Sequence, residues 1–222
     1  LLTICCFNPS YLYSGGKTTA ESVNSKNIQY TIGYMSEYWI RGSFQAASVL
    51  HANVSYTTGP VYLSAGYADL RDRKGGASYN EGEAFVSLYG SYNFKLYEIP
   101  SYIGLAAYRY TDGIDQHYNE VSIGADLSLF SVDAVILGDY DTSPSSDYWH
   151  FQVTVPLGPV NYTYGTYSGA WHYVVHEVST GFDINDINFG VKLGMNNDNA
   201  MGTSANSNQD TTYGVLSISY SF

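Results

Sequence analysis

Apolar and polar residues alternate one by one along most of this chain, and the last ten residues show the pattern clearly. Leu216, Ile218, Tyr220 and Phe222 share one parity, and every residue between them is a serine. Successive side chains of a β-strand point to opposite faces, so this segment is predicted to be a strand with one apolar face. A transmembrane barrel strand needs that arrangement, because its outer face meets lipid and its inner face can meet water.

The apolar residues Leu216, Ile218, Tyr220 and Phe222 also resemble the C-terminal signal that the barrel-assembly machinery of the bacterial outer membrane reads. The resemblance implies that this machinery is a partner of the protein.

The same alternation recurs in further short segments, which are separated by residues typical of turns. Compact connections such as "TGP", "PLGP" and "INDI" alternate with longer polar ones such as "NNDNAMGTSANSNQD". Short periplasmic turns and longer extracellular loops are the asymmetry expected of an outer-membrane barrel. We therefore predict an all-β fold over residues 27–222, a transmembrane antiparallel up-and-down β-barrel of about 12 strands. Both termini are then expected in the periplasm, and the first connection, near Gln45, is expected among the extracellular loops.

The composition favours such a barrel over other classes. The chain has 24 Tyr and 22 Gly, and only 13% of its residues are charged, about half the usual share. No run of about 18 apolar residues is present, so no transmembrane helix is predicted. A net charge of −11 argues against binding to nucleic acid. A water-soluble sandwich or lipocalin-like barrel is the alternative, but its outer surface would be unusually rich in Ser, Gly and Thr and poor in Lys.

The first 26 residues differ from the rest of the chain. The apolar "LLTICCF" predicts a signal-peptide remnant over residues 1–14, and the polar residues 15–26 are expected to form a periplasmic segment. A short buried strand is the alternative for the apolar stretch. Cys5 and Cys6 are adjacent, and neighbouring cysteines do not form an ordinary structural disulfide.

The segment "SEYWIRGSFQ" runs from Ser36 to Gln45 and is similar to the hallmark of the TorF-like porin family. That proteobacterial outer-membrane family has no established function. The residues that match its pattern are Ser36, Tyr38, Arg41, Gly42 and Gln45. The resemblance implies a porin-like outer-membrane barrel, and it implies no substrate, cofactor or catalytic residue.

Parity assigns one set of charged residues to the lumen of the predicted barrel. The pore-lining candidates are Glu37, Arg41, Glu83, Glu120, Asp126, Asp133, Asp139, Glu177, Asp183 and Lys192. Rings of charged side chains set pore selectivity, so this acidic excess predicts a channel that prefers cations or neutral polar solutes. Alternatively, Glu37 and Arg41 pair with neighbouring residues and plug a narrow interior.

Aromatic residues and histidines receive mainly structural interpretations. The aromatics predicted to form girdles at the membrane interfaces include Tyr38, Trp39, Tyr97, Tyr148, Trp149, Trp171 and Tyr220. His172 and His176 would lie about 13 Å apart on a strand, so no metal site is predicted. No compact Ser/His motif is present, and no enzymatic activity or cofactor is expected.

Two functions follow from these features. One is passive diffusion of small ions or polar solutes through an outer-membrane channel that contacts lipid and the assembly machinery. The other is a structural or adhesive barrel with a plugged lumen and no transport.

Overall fold

Twelve antiparallel strands form a closed barrel, which confirms the predicted fold class. The computed structural model describes residues 27–70, 84–111, 117–140, 146–169, 172–197 and 211–222. The strands are β1 (Ile28–Ile40), β2 (Ser43–Thr58), β3 (Val61–Asp69), β4 (Ala84–Leu96), β5 (Ile99–Tyr110), β6 (Tyr118–Asp126), β7 (Ser131–Tyr140), β8 (Ser146–Leu157), β9 (Val160–Gly169), β10 (Tyr173–Ile184), β11 (Ile187–Asn196) and β12 (Thr211–Ser221). Each strand pairs with the next along the chain, and β12 pairs with β1.

The two ends of the barrel differ in their connections. One end carries the turns at 59–60, 97–98, 127–130, 158–159 and 185–186, and we call it the short-turn end. The opposite end, which we call the loop end, carries the longer connections and the turn at Arg41 and Gly42. The predicted segments 1–14 and 15–26 lie outside the described residues, as do the candidate residues Glu83 and Trp171.

The ring is closed where the last strand meets the first. The backbone amide of Tyr30 donates to the carbonyl of Phe222, and the Phe222 amide donates to the Tyr30 carbonyl, both at 3.0 Å. The Phe222 ring stacks on Tyr30 with 5.6 Å between ring centroids. The final residue therefore completes the β1–β12 ladder instead of trailing away from it.

Deleting residues 211–222, which contain β12, is expected to abolish folding, because β1 and β11 would each be left with an unpaired edge. The measurement is electrophoresis without heating, in which a folded barrel migrates faster than the boiled protein. Phe222→Ser is expected to reduce the folded band less, since the backbone groups that bond to Tyr30 remain and only the ring contacts with Tyr30 and Tyr220 are lost. Normal folding of the β12 deletion would contradict the closure described here.

The outer face of the wall is apolar around the barrel. Large side chains with more than a third of their surface exposed include Ile32, Leu50, Leu63, Leu88, Leu105, Leu137, Phe151, Val178, Leu193 and Leu216. Leu216, Ile218, Tyr220 and Phe222 are all exposed on this face, in keeping with the alternation of the last strand. In the described part of the chain, no helix is long and apolar enough to cross a membrane.

The inner face combines hydroxyl and amide groups with aromatic rings that lie over glycines. Tyr102 and Tyr148 cover Gly124 and Gly138 on the adjacent strand, and a Cβ atom at either glycine would overlap the ring. Rings can pack this closely against a wall only where the neighbouring residue has no side chain. This packing gives a physical role to part of the Tyr and Gly content of the chain.

Candidate functional site

The first two strands leave the barrel wall before they end. β1 pairs with β12 only as far as Met35, and β2 pairs with β3 only as far as His51. The two strands nevertheless stay paired with each other to the contact between Ile40 and Ser43. Residues 36–50 therefore form a two-stranded ribbon with no other strand in its ladder among the described residues, and we call it the plug hairpin.

Local backbone features bend and close the plug hairpin. Its register shifts between Tyr38 and Trp39, and Ser48 adopts a φ of 55°. Such irregularities bend a strand and increase its twist. The turn residues Arg41 and Gly42 both have positive φ, 47° and 81°, as a tight type I′ hairpin turn requires. The expected loop near Gln45 is wrong, since a two-residue turn takes its place and Gln45 belongs to β2.

The tip of the plug hairpin reaches the far wall of the barrel. The Arg41 guanidinium donates through Nη1 to Glu120 Oε1 at 2.7 Å and through Nη2 to Glu120 Oε2 at 3.1 Å. Glu120 belongs to β6, and four strands separate β6 from β1 even along the shorter path around the ring. The hairpin thus crosses the lumen.

The carboxylate of Glu120 is the centre of a buried polar cluster. The hydroxyl of Tyr148 donates to its Oε1 at 2.6 Å, and the hydroxyl of Tyr108 donates to its Oε2 at 3.2 Å. Arg41 also donates to the Tyr167 hydroxyl at 3.2 Å, and its Cζ lies 5.9 Å from the centre of that ring. Arg41 is 8% exposed and Glu120 is 3% exposed. Because each charged oxygen accepts more than one donor, the buried ion pair is well compensated.

The flanks of the plug hairpin contact the wall on several sides. Trp39 stacks on Tyr213 of β12 with 4.0 Å between ring centroids, and Gln45 Oε1 accepts a hydrogen bond of 2.8 Å from the Tyr110 hydroxyl of β5. Asn196 of β11 donates to the carbonyl of Gly42, whose missing side chain leaves room for Val175 of β10.

These contacts bury the hairpin from both flanks. Tyr38, which packs edge-on against Phe85, is 0% exposed. The hairpin therefore occupies the lumen near the loop end.

The hydroxyl of Ser36 marks the point where the plug hairpin leaves the wall. Its Oγ accepts a 2.9 Å hydrogen bond from the backbone amide of Leu216 on β12. This bond gives the Leu216 amide an acceptor just beyond Met35, where the ladder between β1 and β12 ends.

A second ion pair lies behind the plug. Lys192 donates to Glu177 Oε1 at 2.9 Å, and the Tyr213 hydroxyl donates to the same oxygen at 2.5 Å. Both charged residues are wall residues, on the neighbouring strands β11 and β10. Since Tyr213 stacks on Trp39, this cluster also contacts the plug hairpin.

Most of the pore-lining candidates lie on the lumen side of the wall or in the plug. Glu37 accepts from Trp39 Nε1 at 2.9 Å, and the Asp133 carboxylate accepts from the Tyr102 hydroxyl at 2.7 Å. Two other carboxylates lie at the short-turn rim. Asp126 accepts from the amide of Ser128, and Asp183 accepts from Asn188.

The assignment of Asp139 to the lumen is wrong. The register of β7 shifts between Val135 and Gly138, so the alternation of faces changes along this strand. Gly138 lies under the lumenal ring of Tyr148, and Asp139 is exposed on the outer face beside Asn119 and Asp147.

Part of the predicted interfacial girdle is also wrong. Tyr38, Trp39 and Tyr148 are buried inside the barrel, whereas Tyr97, Trp149 and Tyr220 are exposed. Tyr38 and Trp39 lie inside because the plug hairpin turns inward. Tyr148 lies inside because it shares a face with His150 of β8, whose side chain is also buried.

The tyrosines around Arg41 and Glu120 belong to the candidate site, and sequence reasoning missed them there. Tyr108 and Tyr167 have the parity of lumenal residues, and that parity is the only signal that separates them from the exposed tyrosines. Within the described ranges, no three His, Cys, Asp or Glu side chains come together as a metal site would need.

Comparison with known proteins identifies the fold. No family model matches the chain, and no curated protein matches it. Among solved structures, a KdgM porin covers 88% of this chain and 98% of its own, with 12% identity and a TM-score of 0.54. The COG4313 outer membrane channel from Pseudomonas putida F1 covers 94% and 100%, with 10% identity and a TM-score of 0.53. A second KdgM structure, a complex with disordered oligogalacturonate, has a TM-score of 0.51 and 12% identity and covers 88% and 98%. At these identities the likeness shows that the barrel fold is shared.

Proposed function

We propose that the protein is a porin-like channel of the bacterial outer membrane through which small polar solutes and ions diffuse. The observation that carries this proposal is the difference between the apolar outer face and the polar inner face of the barrel wall. Large apolar side chains such as Leu105 and Leu193 are exposed outside, while hydroxyl and amide side chains such as Ser91 and Gln152 lie inside. A barrel in lipid needs this division, whereas a water-soluble barrel needs the reverse. The shared fold with the KdgM porin and the COG4313 channel supports it.

The plug hairpin defines the state in which this channel rests. With Arg41 bound to Glu120 and Trp39 stacked on Tyr213, the loop end is closed. Passage of solute then requires the hairpin to move, and movement of residues 36–50 leaves the ladders of the rest of the wall intact. Because the tip is held by polar contacts as well as by apolar packing, its release need not expose a wholly apolar surface.

The test is single-channel recording after reconstitution into planar bilayers. The parent protein is expected to show long closed periods interrupted by discrete openings. Arg41→Ala is expected to increase the open fraction, because it removes both bonds to Glu120. Arg109→Ala is the matched control, since that guanidinium lies on the outer face and donates to Asn119. A folded parent and a folded Arg41→Ala variant that both stay closed would contradict the proposed channel.

The charge of the described lumen supports a preference for cations. Arg41 and Lys192 each neutralise one carboxylate. Asp126, Asp133 and Asp183 have no basic side chain within ion-pair distance among the described residues. Low-dielectric walls focus such a negative field, so cations are enriched in the pore.

Changing Asp126, Asp133 and Asp183 together to Asn is expected to lower the preference for cations while the barrel still folds. The measurement is the reversal potential under a gradient of potassium chloride. The difference in reversal potential should become smaller near 1 M salt, where the Debye screening length falls to about 3 Å. Asp139→Asn is the control, because that carboxylate lies outside the lumen. Equal reversal potentials for the parent and the triple variant would refute the role of these three carboxylates.

The oligogalacturonate bound in the KdgM complex is a poor match to the charge of this lumen. Oligogalacturonate is a chain of carboxylated sugars, and the uncompensated carboxylates of this barrel would repel it. We therefore propose small cations and neutral polar solutes as the diffusing species.

A structural or adhesive barrel without transport is the second candidate. The observation in its favour is the burial of the plug hairpin, in which Tyr38 and Ala46 are 0% exposed. The bilayer recordings separate the two functions.

We also propose that the chain belongs to the TorF-like family and that both termini face the periplasm. All five matching residues, from Ser36 to Gln45, lie in the plug hairpin, so a shared pattern there would imply a shared plug. The exposed apolar row that ends at Phe222 supports recognition by the assembly machinery.

A further inference from the structure

The cluster around Glu120 resembles a binding site with its ligand in place. We propose that Glu120, Tyr108, Tyr148 and Tyr167 form a guanidinium-binding site in the lumen, that Arg41 occupies it as an internal ligand, and that soluble guanidinium cations compete with Arg41 for it and so release the plug hairpin. The release of the plug rests on the proposed channel function, whereas the binding site rests on geometry alone.

The residues of the site belong to the wall and not to the plug. Tyr108 lies on β5, Glu120 on β6, Tyr148 on β8 and Tyr167 on β9, and each of these strands is paired on both sides. Only the guanidinium comes from the plug hairpin. When the hairpin withdraws, the four wall residues keep their places in the ladder, and the site persists.

The hydrogen bonds specify a planar cation with parallel donors. Both carboxylate oxygens of Glu120 accept from the two terminal nitrogens of Arg41. The hydroxyls of Tyr108 and Tyr148 also donate to this carboxylate, one to each oxygen. The two bonds from Arg41, one to each oxygen, match the fork of a guanidinium better than a single ammonium.

Aromatic rings enclose the site. The Tyr148 and Tyr167 rings have centroids 6.1 Å apart, and the Tyr108 and Tyr118 rings have centroids 4.2 Å apart. Arg41 Cζ lies within cation–π distance of the Tyr167 ring. The rings exclude water and present a π-face to a flat cation, and a guanidinium tolerates that environment better than a strongly hydrated ammonium.

The ion pair between Lys192 and Glu177 differs from the one between Arg41 and Glu120, because the plug hairpin contributes to only the latter. Lys192 and Glu177 are both wall residues on adjacent strands, so neither is carried away by movement of the hairpin. Arg41 and Glu120 are 79 residues apart in the chain, and only the docking of the hairpin joins them. A soluble cation can therefore replace Arg41 without breaking the wall.

The experiment is chemical rescue of Arg41→Ala in detergent solution, measured as the thermal unfolding temperature. Millimolar guanidinium chloride is compared with potassium chloride at equal ionic strength. Guanidinium is expected to raise the unfolding temperature of Arg41→Ala by several degrees more than potassium does, because only guanidinium restores the forked hydrogen bonds. For the double variant Arg41→Ala with Glu120→Gln, guanidinium and potassium are expected to give the same unfolding temperature. The same is expected for Arg109→Ala.

No guanidinium-specific shift in Arg41→Ala, or an equal shift in the double variant, overturns the site. If Arg41→Ala does not fold, Arg41→Leu takes its place with the same controls, since leucine keeps apolar packing at the tip, donates no hydrogen bond and is too short to fill the place of the guanidinium. In bilayers, guanidinium is expected to raise the open fraction of the parent above that in potassium. If guanidinium shifts the unfolding temperature of the Arg41 variants alone but no protein carries current in bilayers, the binding site is supported. That result contradicts the proposed channel function.

Discussion

Replacing residues 37–47 by Asn-Gly is expected to turn the closed barrel into a permanently open one, with a mean current on the order of tenfold or more above that of the parent. The change removes the tip at Arg41 and Gly42 and the flanking residues Trp39 and Gln45. Ser36 and Ser48 then flank a two-residue turn of the type that Asn-Gly favours. The wall from β3 to β12 keeps all of its pairing, because the plug hairpin contributes nothing to those ladders.

The measurement is conductance in planar bilayers, with electrophoresis of unheated protein to show that the variant is folded. The matched control is the same Asn-Gly replacement at Tyr97 and Glu98, the exposed turn between β4 and β5, where both residues already have positive φ. That control should leave the current of the parent unchanged. A folded variant without residues 37–47 that carries no more current than the parent would show that something other than this hairpin blocks the lumen.

Changing Arg41 to Met alone is expected to cost about 3–5 kcal/mol in the free energy of unfolding, because it strands the buried carboxylate of Glu120 without its cation. Two tyrosine hydroxyls remain as donors, but neither carries a charge. The double variant Arg41→Met with Glu120→Gln should recover most of the loss, since a neutral amide is far less costly to bury.

Unfolding by urea from phospholipid vesicles measures this difference. Arg109→Met is the control, because its guanidinium is exposed on the outer face and binds backbone carbonyls and Asn119. Its expected cost is within about 1 kcal/mol. Equal stabilities for the parent and the single Arg41 variant, with no gain in current, would mean that the ion pair does not hold the plug.

The wall of the barrel could be predicted because its signal is local. A strand between lipid and a polar lumen must alternate, so Leu216 and Ile218 identify the outer face of β12 without any knowledge of its neighbours. The same reasoning assigns Glu120 and Glu177 to the inner side. It fails for Asp139, because the register shift of β7 appears only when β7 is aligned with β8.

The plug hairpin could not be predicted from alternation. The pattern of β1 continues through Tyr38 and Ile40 in the same way on both sides of Met35, where the strand leaves the wall. A ribbon packed inside a lumen and a strand exposed to lipid both need apolar residues, so composition does not distinguish them either. The resemblance at Ser36–Gln45 marks this segment without indicating that it folds inward.

The sequence by itself determined the number of strands and the apolar outer face, since both follow from side-chain period and composition within a short window. Only the tertiary structure decided that the first hairpin folds into the lumen and which charges are neutralised. Arg41 meets Glu120 across 79 residues of chain, and Trp39 meets Tyr213 across the seam between the first and last strands. Such contacts depend on where β1 and β2 stop pairing with β12 and β3. That point is set by the pairing of all four strands and not by the residues of the plug hairpin alone.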